Sequence, residues 1–285
     1  MTEAALPEAD LIESDVRRAL AEDIGSGDLT AQLLPADETA VARVLTREPA
    51  VLCGQAWAEA CFRQLDASVD VRWLCAEGAD LAANTVFLEV RGPVRALVSA
   101  ERCALNFLQT LMATATVARQ YAQAVAGTQT RILDTRKTLP GLRQAQKYAV
   151  RVGGASNHRV GLFDAVLIKE NHIAAAGSIA AAIRRARELA GTRLVEIEVE
   201  SLAELDAALA ERPDRIMLDE FSREDLVEAV ARTRGRVALE VSGSMTFERI
   251  ADVAALGVDF ISVGALTKHV RAIDLSMRLE RTDRP

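Results

Sequence analysis

The sequence predicts an α/β protein in which a smaller mixed region precedes a (β/α) barrel. From residue 130 onward, six short apolar runs alternate with alanine-rich helical stretches, a pattern typical of repeated βα units with parallel strands. The strand core of each run is apolar on both faces, as expected where helices cover a parallel sheet. Since no GxGxxG turn follows any of the runs, a barrel is favoured over an open doubly wound sheet.

The first part of the chain, up to about residue 113, has a mixed pattern. A polar helical segment, DLIESDVRRALAED, leads through the turn-rich IGSGDLT to the extended runs AVARVLTRE, VRWLCAEG and TVFLEVRG. Alternation and turn residues predict a small sheet flanked by helices. Residues 101–126 are predicted to form one long apolar helix that ends at Gly127 and links to the second half.

The six predicted barrel strands are RILDT, DAVLIKE, LVEIEVE, RIMLDE, VALEVSG and FISVGAL. Helix starts lie between them. Ser201 with Glu204, and Ser222 with Asp225, have the spacing of capping boxes, and Ser178 also precedes a helical stretch. The second half therefore has both the strand and the helix signals of a barrel.

Composition argues against several classes of protein. Half of the 285 residues are hydrophobic and 26% are charged, which is ordinary for one large globular domain or two unequal ones. No apolar run approaches the roughly 20 residues of a membrane span, and the N-terminus lacks the features of a signal peptide. The net charge of −7 disfavours nucleic-acid binding. We therefore expect a cytoplasmic protein without a membrane or nucleic-acid partner.

Charged residues stand at the carboxyl ends of the predicted strands, where barrel enzymes carry their chemistry. Because side chains alternate along a strand, Glu196, Glu198 and Glu200 share one face of LVEIEVE. This face is predicted to point inward, and the alternative is a frayed strand end that faces solvent. Asp219 ends the next strand. Carboxylates placed in this way suit Mg²⁺ or ribose hydroxyls.

The segment 131–169 is strongly basic. It holds eight basic residues and two acidic ones in a chain of net charge −7, which is typical of a pocket that attracts an anion. A solvated helix face accounts for Arg143, Lys147 and Arg151. It accounts poorly for four others, which are Arg136, Lys137, Arg159 and Lys169. Arginine forks suit carboxylate and phosphate groups, so these residues are candidate ligand contacts.

Small residues follow the last two strands, in EVSGS and SVGAL. Gly243 and Gly264 in these segments are either plain turn glycines or part of a phosphate-binding turn, which barrels often place after their last strands. His158, next to Arg159, is a further candidate ligand contact. Together the residues predict an anion-binding barrel whose ligand is a phosphorylated sugar bound with a metal ion.

Six segments resemble, in order and spacing, the quinolinate phosphoribosyltransferase family: AEDIGSGDLT, ERCALNFLQ, RILDTRKTLPGLRQAQKYAVRVGGASNHRVGLFDAVLIKENHI, VEIEVES, IMLDEF and SVGALTKHV. The resemblance implies an enzyme that makes nicotinate mononucleotide, carbon dioxide and pyrophosphate from quinolinate and phosphoribosyl pyrophosphate, with Mg²⁺, for NAD synthesis. It also implies a seven-stranded α/β barrel in residues 114–269. An N-terminal α/β sandwich, residues 1–113, would be joined by a C-terminal helix, residues 270–285.

The resemblance also implies residue roles. The quinolinate pocket would be lined by Arg102, Arg136, His158, Arg159 and Lys169. The sugar pyrophosphate would be contacted by Lys137 and Lys169, and the ribose hydroxyls and Mg²⁺ would be held by Glu198 and Asp219. The 5′-phosphate would be bound by Ser242, Gly243 and Gly264. Lys137, Lys169, Glu198 and Asp219 are thus the candidate catalytic residues.

The family is built on a homodimer, so Arg102 is expected to enter the partner's site, and higher assemblies also occur. This chain departs from the family pattern at a few positions. Glu220 and Ser244 stand where the family usually has Asn, and Met112 stands in place of Ser. Glu220 adds one negative charge near the expected metal.

Three alternatives remain open from the sequence. A related phosphoribosyltransferase-like barrel would act on another substrate, because fold does not fix function. A Schiff-base aldolase would use Lys169 as its nucleophile. A catalytically silent binding protein would keep the barrel without its chemistry, although the charged strand ends are retained here.

Overall fold

The structure, a computed structural model, describes residues 4–281. These residues divide into two compact units. Unit 1 takes 4–119, 139–154 and 268–281, and unit 2 takes 120–138 and 155–267. Segment 139–154 therefore belongs to unit 1, although it lies within the predicted barrel range, residues 114–269.

The helices are α1 (Ala9–Ile24), α2 (Gln55–Leu65), α3 (Val94–Ala124), α4 (Arg143–Val152), α5 (Glu170–Ala176), α6 (Ile179–Ala190), α7 (Leu202–Glu211), α8 (Arg223–Thr233), α9 (Ile250–Ala254) and α10 (Ala265–Lys268). The strands are β1 (Thr39–Thr46), β2 (Ala50–Val51), β3 (Asp70–Trp73), β4 (Asp80–Leu81), β5 (Val86–Pro93), β6 (Arg131–Leu133), β7 (Ala165–Ile168), β8 (Leu194–Val199), β9 (Arg215–Asp219), β10 (Ala238–Ser242), β11 (Phe260–Ser262) and β12 (Leu275–Arg281). Short 3₁₀ helices cover Ala31–Leu33 and Phe247–Arg249. None of the helices in the described range is long and apolar enough to cross a membrane.

Unit 1 contains a four-stranded antiparallel sheet in the order β12-β1-β5-β3 and a two-stranded pair, β2-β4. Alternate residues of β1 are buried, as its sequence pattern predicts. Val44 from that face belongs to the same apolar core cluster as Trp57 of α2 and Leu108 of α3. The predicted small sheet flanked by helices is confirmed.

Unit 2 contains six parallel strands in the order β6-β11-β10-β9-β8-β7. The strands are the six predicted runs, and their core residues, such as Ile197 and Ile216, are fully buried. In the place of the expected seventh strand, the described chain has only a single parallel bridge between Leu133 and Ser156. The ladder stops there because Asn157 and the backbone of His158 bond instead to the side chain of Asp134.

The C-terminal segment differs from its prediction. Residues 270–285 were expected to form a helix, but 275–281 form β12, which pairs antiparallel with β1, and 282–285 lie outside the described residues. The sequence LSMRLER has good helix formers. The helix prediction is wrong because pairing with β1 outweighs this local preference, and Thr46 to Ala40 align with Leu275 to Arg281.

The helix-start signals of unit 2 are confirmed. The side chains of Ser178, Ser201 and Ser222 each accept a hydrogen bond from the backbone N–H three residues later. The long helix α3 begins at Val94, seven residues before its predicted start. The caps at Ser201 and Ser222 thus fix where α7 and α8 begin after β8 and β9, whereas Ser178 caps α6, which follows α5.

Candidate active site

Most of the candidate residues lie at the carboxyl ends of the parallel strands of unit 2. Along the sheet they are Arg136 and Lys137 after β6, Gly264 after β11, Ser242 and Gly243 at β10, Asp219 at β9, Glu198 in β8 and Lys169 after β7. His158 and Arg159 precede β7, and Arg102 lies exposed on α3 in unit 1. Since parallel strands end at one edge of their sheet, the strand ends form a single rim. We use "the rim" for Lys137, Lys169, Glu198 and Asp219.

Lys169 and Glu198 form an ion pair across the ends of β7 and β8. The parallel register, which pairs Ile168 with Ile197, brings the two following side chains together. The Lys169 side chain is 43% exposed, whereas that of Glu198 is 9% exposed. The pair therefore lies at the boundary between the sheet interior and solvent.

Glu198 also groups with two other carboxylates. One oxygen from each of Glu170, Glu198 and Glu200 lies within 4.8 Å of the others. Oxygen ligands of this kind are those that Mg²⁺ prefers. In the described chain Asp219 is not part of this group, although it ends the strand next to Glu200. The prediction that Glu198 and Asp219 hold a metal together stays a prediction.

Below the rim lies a second set of charges, the buried cluster, formed by His158, Glu196, Arg215 and Glu240. The Nε2 atom of His158 lies 2.9 Å from Glu196 Oε2 and 3.6 Å from Glu240 Oε1. Arg215 donates to Glu240 Oε2 at 2.7 Å, and its guanidinium stacks 4.0 Å from the centre of the Phe260 ring. Glu196 and Glu240 are fully buried, so the inward acidic face predicted for β8 is confirmed for Glu196 and Glu198 and not for Glu200, which is exposed.

The buried cluster shifts the ionisation of its own carboxylates. The pKa of Glu240 is raised to about 7, chiefly by burial and then by the adjacent Glu196 carboxylate, against the opposing effects of His158 and Arg215. Burial likewise raises the pKa of Glu196, although Arg215 lowers it. Two carboxylates this close together, in a site that water does not reach, favour the state in which one of them holds a proton.

A chain of hydrogen bonds joins the buried cluster to Arg159. The fully buried Asp134 accepts from the backbone N–H of His158 at 2.8 Å and from the Asn157 side chain at 2.7 Å. His158 Nδ1 then accepts from the backbone N–H of Arg159 at 2.7 Å. Burial, followed by repulsion from Arg136, lowers the pKa of the Arg159 guanidinium. Two guanidinium groups that repel each other in a partly buried position suit a dianionic ligand.

The glycine turns lie at the ends of the adjacent strands β10 and β11. Gly243 has a φ of 114°, which favours glycine. A Cβ atom on Gly264 would lie 3.2 Å from Cδ and 3.9 Å from Nζ of Lys137, so the ammonium group lies over this glycine. Backbone N–H groups next to an ammonium group can bind a phosphate.

Arg215 is not among the residues that the sequence predicts for the site, because it stands at the first position of β9 and so lacks the strand-end signal. The alternation of side chains along the strand could have identified Arg215, because it places this residue on the same face of β9 as Met217 and the candidate residue Asp219. The prediction that Lys147 lies on a solvated helix face is also wrong, since Lys147 is fully buried in α4. Arg215 and Lys147 are both cationic side chains that lie inside the protein, whereas their residue type alone would predict a position on the surface.

Comparison with known proteins supports one family. A family model described as "Quinolinate phosphoribosyl transferase, C-terminal domain" matches residues 114–278, and its N-terminal counterpart matches residues 28–112. The "Nicotinate-nucleotide pyrophosphorylase [carboxylating]" of Mycobacterium leprae is 43% identical over 282 residues, which cover 95% of this chain and 98% of the relative. A probable enzyme of the same name from Synechocystis is 40% identical, covering 97% and 95%.

A solved structure agrees with this result. The nicotinate-nucleotide pyrophosphorylase from Francisella tularensis superposes with a TM-score of 0.94 and is 48% identical. The match covers 98% of this chain and 99% of the other. The similarity thus extends over both units as well as over the strand ends.

Proposed function

The chain belongs to the quinolinate phosphoribosyltransferase family, and on that premise we propose that it converts quinolinate and phosphoribosyl pyrophosphate to nicotinate mononucleotide, carbon dioxide and pyrophosphate. The observation that carries the proposal is the arrangement of charge at the strand ends of unit 2. Cations lie at the ends of β6 and β7, and carboxylates lie at the ends of β8 and β9. We call the cations Arg136, Lys137 and Lys169 the basic wall of the site, and the carboxylates Glu198 and Asp219 form its acidic side.

The basic wall matches the charge of the substrates. Quinolinate is a dianion and phosphoribosyl pyrophosphate carries several negative charges, so binding both in one pocket without cations would be strongly unfavourable. Arg136 is close enough to Arg159 for its positive charge to lower the pKa of the Arg159 guanidinium, second to the effect of burial. We assign this pair and Lys169 to the quinolinate carboxylates. Lys137, next to Gly264, is assigned to the sugar phosphates.

The reaction needs positioning more than covalent catalysis. The ring nitrogen of quinolinate attacks the anomeric carbon as the bond to pyrophosphate breaks, through an oxocarbenium-like state that nearby carboxylates such as Glu198 stabilise. The alkylated nitrogen is then cationic and stabilises the electron pair left on the ring when the adjacent carboxylate departs as carbon dioxide. A proton replaces that carboxylate. Decarboxylation therefore follows sugar transfer.

The carboxylates fit the Mg²⁺ that the family resemblance implies. Glu170, Glu198 and Glu200 offer oxygens within 4.8 Å of one another, and Asp219 ends the neighbouring strand. We propose that Glu198 and Asp219 hold the ion and the ribose hydroxyls. When bound, Mg²⁺ would neutralise charge on the pyrophosphate as it leaves.

An aldolase is supported less well. A Schiff-base lysine acts as an uncharged amine, in an apolar pocket or beside another cation. Lys169 instead contacts the carboxylate of Glu198. A neutral amine there would lose this contact.

Release of labelled carbon dioxide from quinolinate, with and without phosphoribosyl pyrophosphate, tests the function and the order of its steps. We expect release only when the sugar substrate and Mg²⁺ are present. Release without the sugar would overturn the order, and no release in any mixture would overturn the function. Nicotinate in place of quinolinate gives the specificity control.

We also propose a cytoplasmic homodimer in which Arg102 completes the partner's site. Arg102→Ala and Lys137→Ala are each expected to be nearly inactive, and mixed dimers of the two should regain activity in one site of each dimer. That site combines an intact Lys137 with an intact Arg102 from the other subunit. Mixed dimers that are verified by mass spectrometry and remain inactive would contradict sharing.

A further inference from the structure

Glu220, the residue after β9, has an unusual backbone conformation. Its φ is 53°, in the left-handed region, and it is one of four non-glycine residues with positive φ in the described range. A glutamate adopts this region at a cost in backbone energy. The conformation turns the chain toward β10, the neighbouring strand, where the backbone N–H of Glu220 donates to Ser242 O at 3.4 Å.

The side chain of Glu220 lies directly against the glycine turn of β10. A Cβ atom on Gly243 would lie 2.7 Å from Glu220 Cδ and within 3.0 Å of both carboxylate oxygens. The hydroxyl of Ser244 donates to Glu220 Oε1 at 3.0 Å. The carboxylate therefore occupies the space in front of Gly243 and is tethered there.

This placement conflicts with the assigned ligand of the turn. The family resemblance implies that Ser242 and Gly243 bind the 5′-phosphate of phosphoribosyl pyrophosphate, and we carry that role into the proposed function. A phosphate at the turn would contact the carboxylate of Glu220, and two anions at contact distance repel. At the neighbouring turn the side chain next to the glycine is a cation, since Lys137 lies over Gly264, whereas the three atoms nearest to a Cβ atom on Gly243 all belong to Glu220.

We propose that Glu220 is an affinity-determining residue, whose carboxylate occupies the phosphate position at Gly243 and must be displaced when the 5′-phosphate of the sugar substrate binds. This inference rests on the proposed function. The displacement breaks the hydrogen bond from Ser244 to Glu220. It also leaves the bound phosphate close to the displaced carboxylate, which repels it. Glu220 thus lowers the affinity for phosphorylated ribose and leaves the quinolinate pocket unaffected.

The test compares Glu220→Gln with the intact protein, using ribose 5-phosphate as the probe in calorimetry. Glutamine keeps the size of the side chain and an acceptor for Ser244 but removes the charge. We expect ribose 5-phosphate to bind roughly 5- to 50-fold more tightly, in line with the loss of one repulsive contact at short range. The KM for phosphoribosyl pyrophosphate should fall by a similar factor, while the KM for quinolinate stays unchanged.

Three further variants separate charge from other effects. Glu220→Asn, which suits a left-handed residue, should also bind the probe more tightly. Ser244→Ala frees the carboxylate from its tether and should give a smaller gain. Glu224→Gln removes one charge from an exposed residue of α8 and should change nothing.

Weaker or unchanged binding of ribose 5-phosphate by Glu220→Gln would overturn the inference, since the carboxylate would then assist the ligand or already lie clear of it. A failure of the proposed function gives a different result, in which the intact protein forms no product from quinolinate. The calorimetric comparison still decides the role of Glu220 in that case. No binding by any variant would overturn the phosphate assignment together with the inference.

Discussion

The rim and the buried cluster contain similar ionisable groups at different depths in one sheet. Glu198 and Glu196 lie two residues apart on the same face of β8. The partner of Glu198 is the half-exposed Lys169, whereas the partners of Glu196 are His158 and Arg215 in the interior. Charges at the rim can exchange their protein partner for a ligand or for water. Those of the buried cluster have no such exchange available.

The depth of a charged group in the sheet therefore decides whether it mainly serves ligand binding, as at the rim, or the stability of the fold, as in the buried cluster. A buried carboxylate that loses its cation keeps its desolvation cost, whereas an exposed one regains water. The buried cluster also reaches the site indirectly, because His158 accepts from the backbone N–H of Arg159. We infer that the cluster sets the position of Arg159, and that Arg159 and Arg136 together with the rim perform the binding and the chemistry.

The largest effect is expected from Arg215→Met. The substitution leaves the fully buried Glu240 and Glu196 without their nearest guanidinium, so the free energy of unfolding should fall by about 3–5 kcal/mol. Urea denaturation at pH 7.5 measures it. Arg232→Met, which breaks ion pairs on the exposed face of α8, is the matched control and should leave stability nearly unchanged. Equal losses in the two variants would contradict the distinction by depth.

Arg159→Lys tests the part of the site to which the cluster connects. A lysine keeps the charge but loses the fork that meets a carboxylate with two bonds. We expect kcat/KM for quinolinate to fall by an amount equivalent to about 1.5–3 kcal/mol, with little change in stability. Arg184→Lys, on the exposed face of α6, is the control. Wild-type kinetics in Arg159→Lys would mean that Arg159 does not contact the substrate.

The sequence predicts the strands of unit 2 and most of the rim, because strand periodicity and strand-end charge are local signals. It predicts the buried cluster poorly. Glu196 and Glu240 are visible as acidic residues, but their shared cation, Arg215, comes from the start of another strand, and only the register between β8, β9 and β10 brings the three together. β12 was missed for the same reason, since its partner β1 lies more than 200 residues earlier.

The third prediction concerns pH. The pKa of Glu240 in the folded protein is raised to about 7 from an ordinary value of 4.5, so the folded state binds this proton more tightly than the unfolded state. Stability from this group is complete below pH 4.5 and is lost as the pH rises through about 7. In Glu240→Gln, the decline in unfolding free energy between pH 5 and 8 should be smaller, by at most about 1.4 kcal/mol per pH unit.

The control for the pH experiment is Glu224→Gln, which should reproduce the wild-type slope because Glu224 is exposed. Denaturation curves at four pH values are sufficient to compare the slopes. If Glu240→Gln keeps the full wild-type decline, the proton is held elsewhere and the two carboxylates of the cluster do not share it.

The smallest effect on stability is expected at the rim itself, from Lys169→Met. The Lys169 side chain is 43% exposed, and its loss leaves Glu198 at the mouth of the site, where it can gain water. The free energy of unfolding should therefore fall by about 1 kcal/mol, near the upper limit for exposed ion pairs, because Glu198 itself is only 9% exposed. Activity should nevertheless be largely lost, because Lys169 is assigned to the substrates. A stability loss as large as that of Arg215→Met would place Lys169 among the structural charges and remove the distinction between rim and cluster.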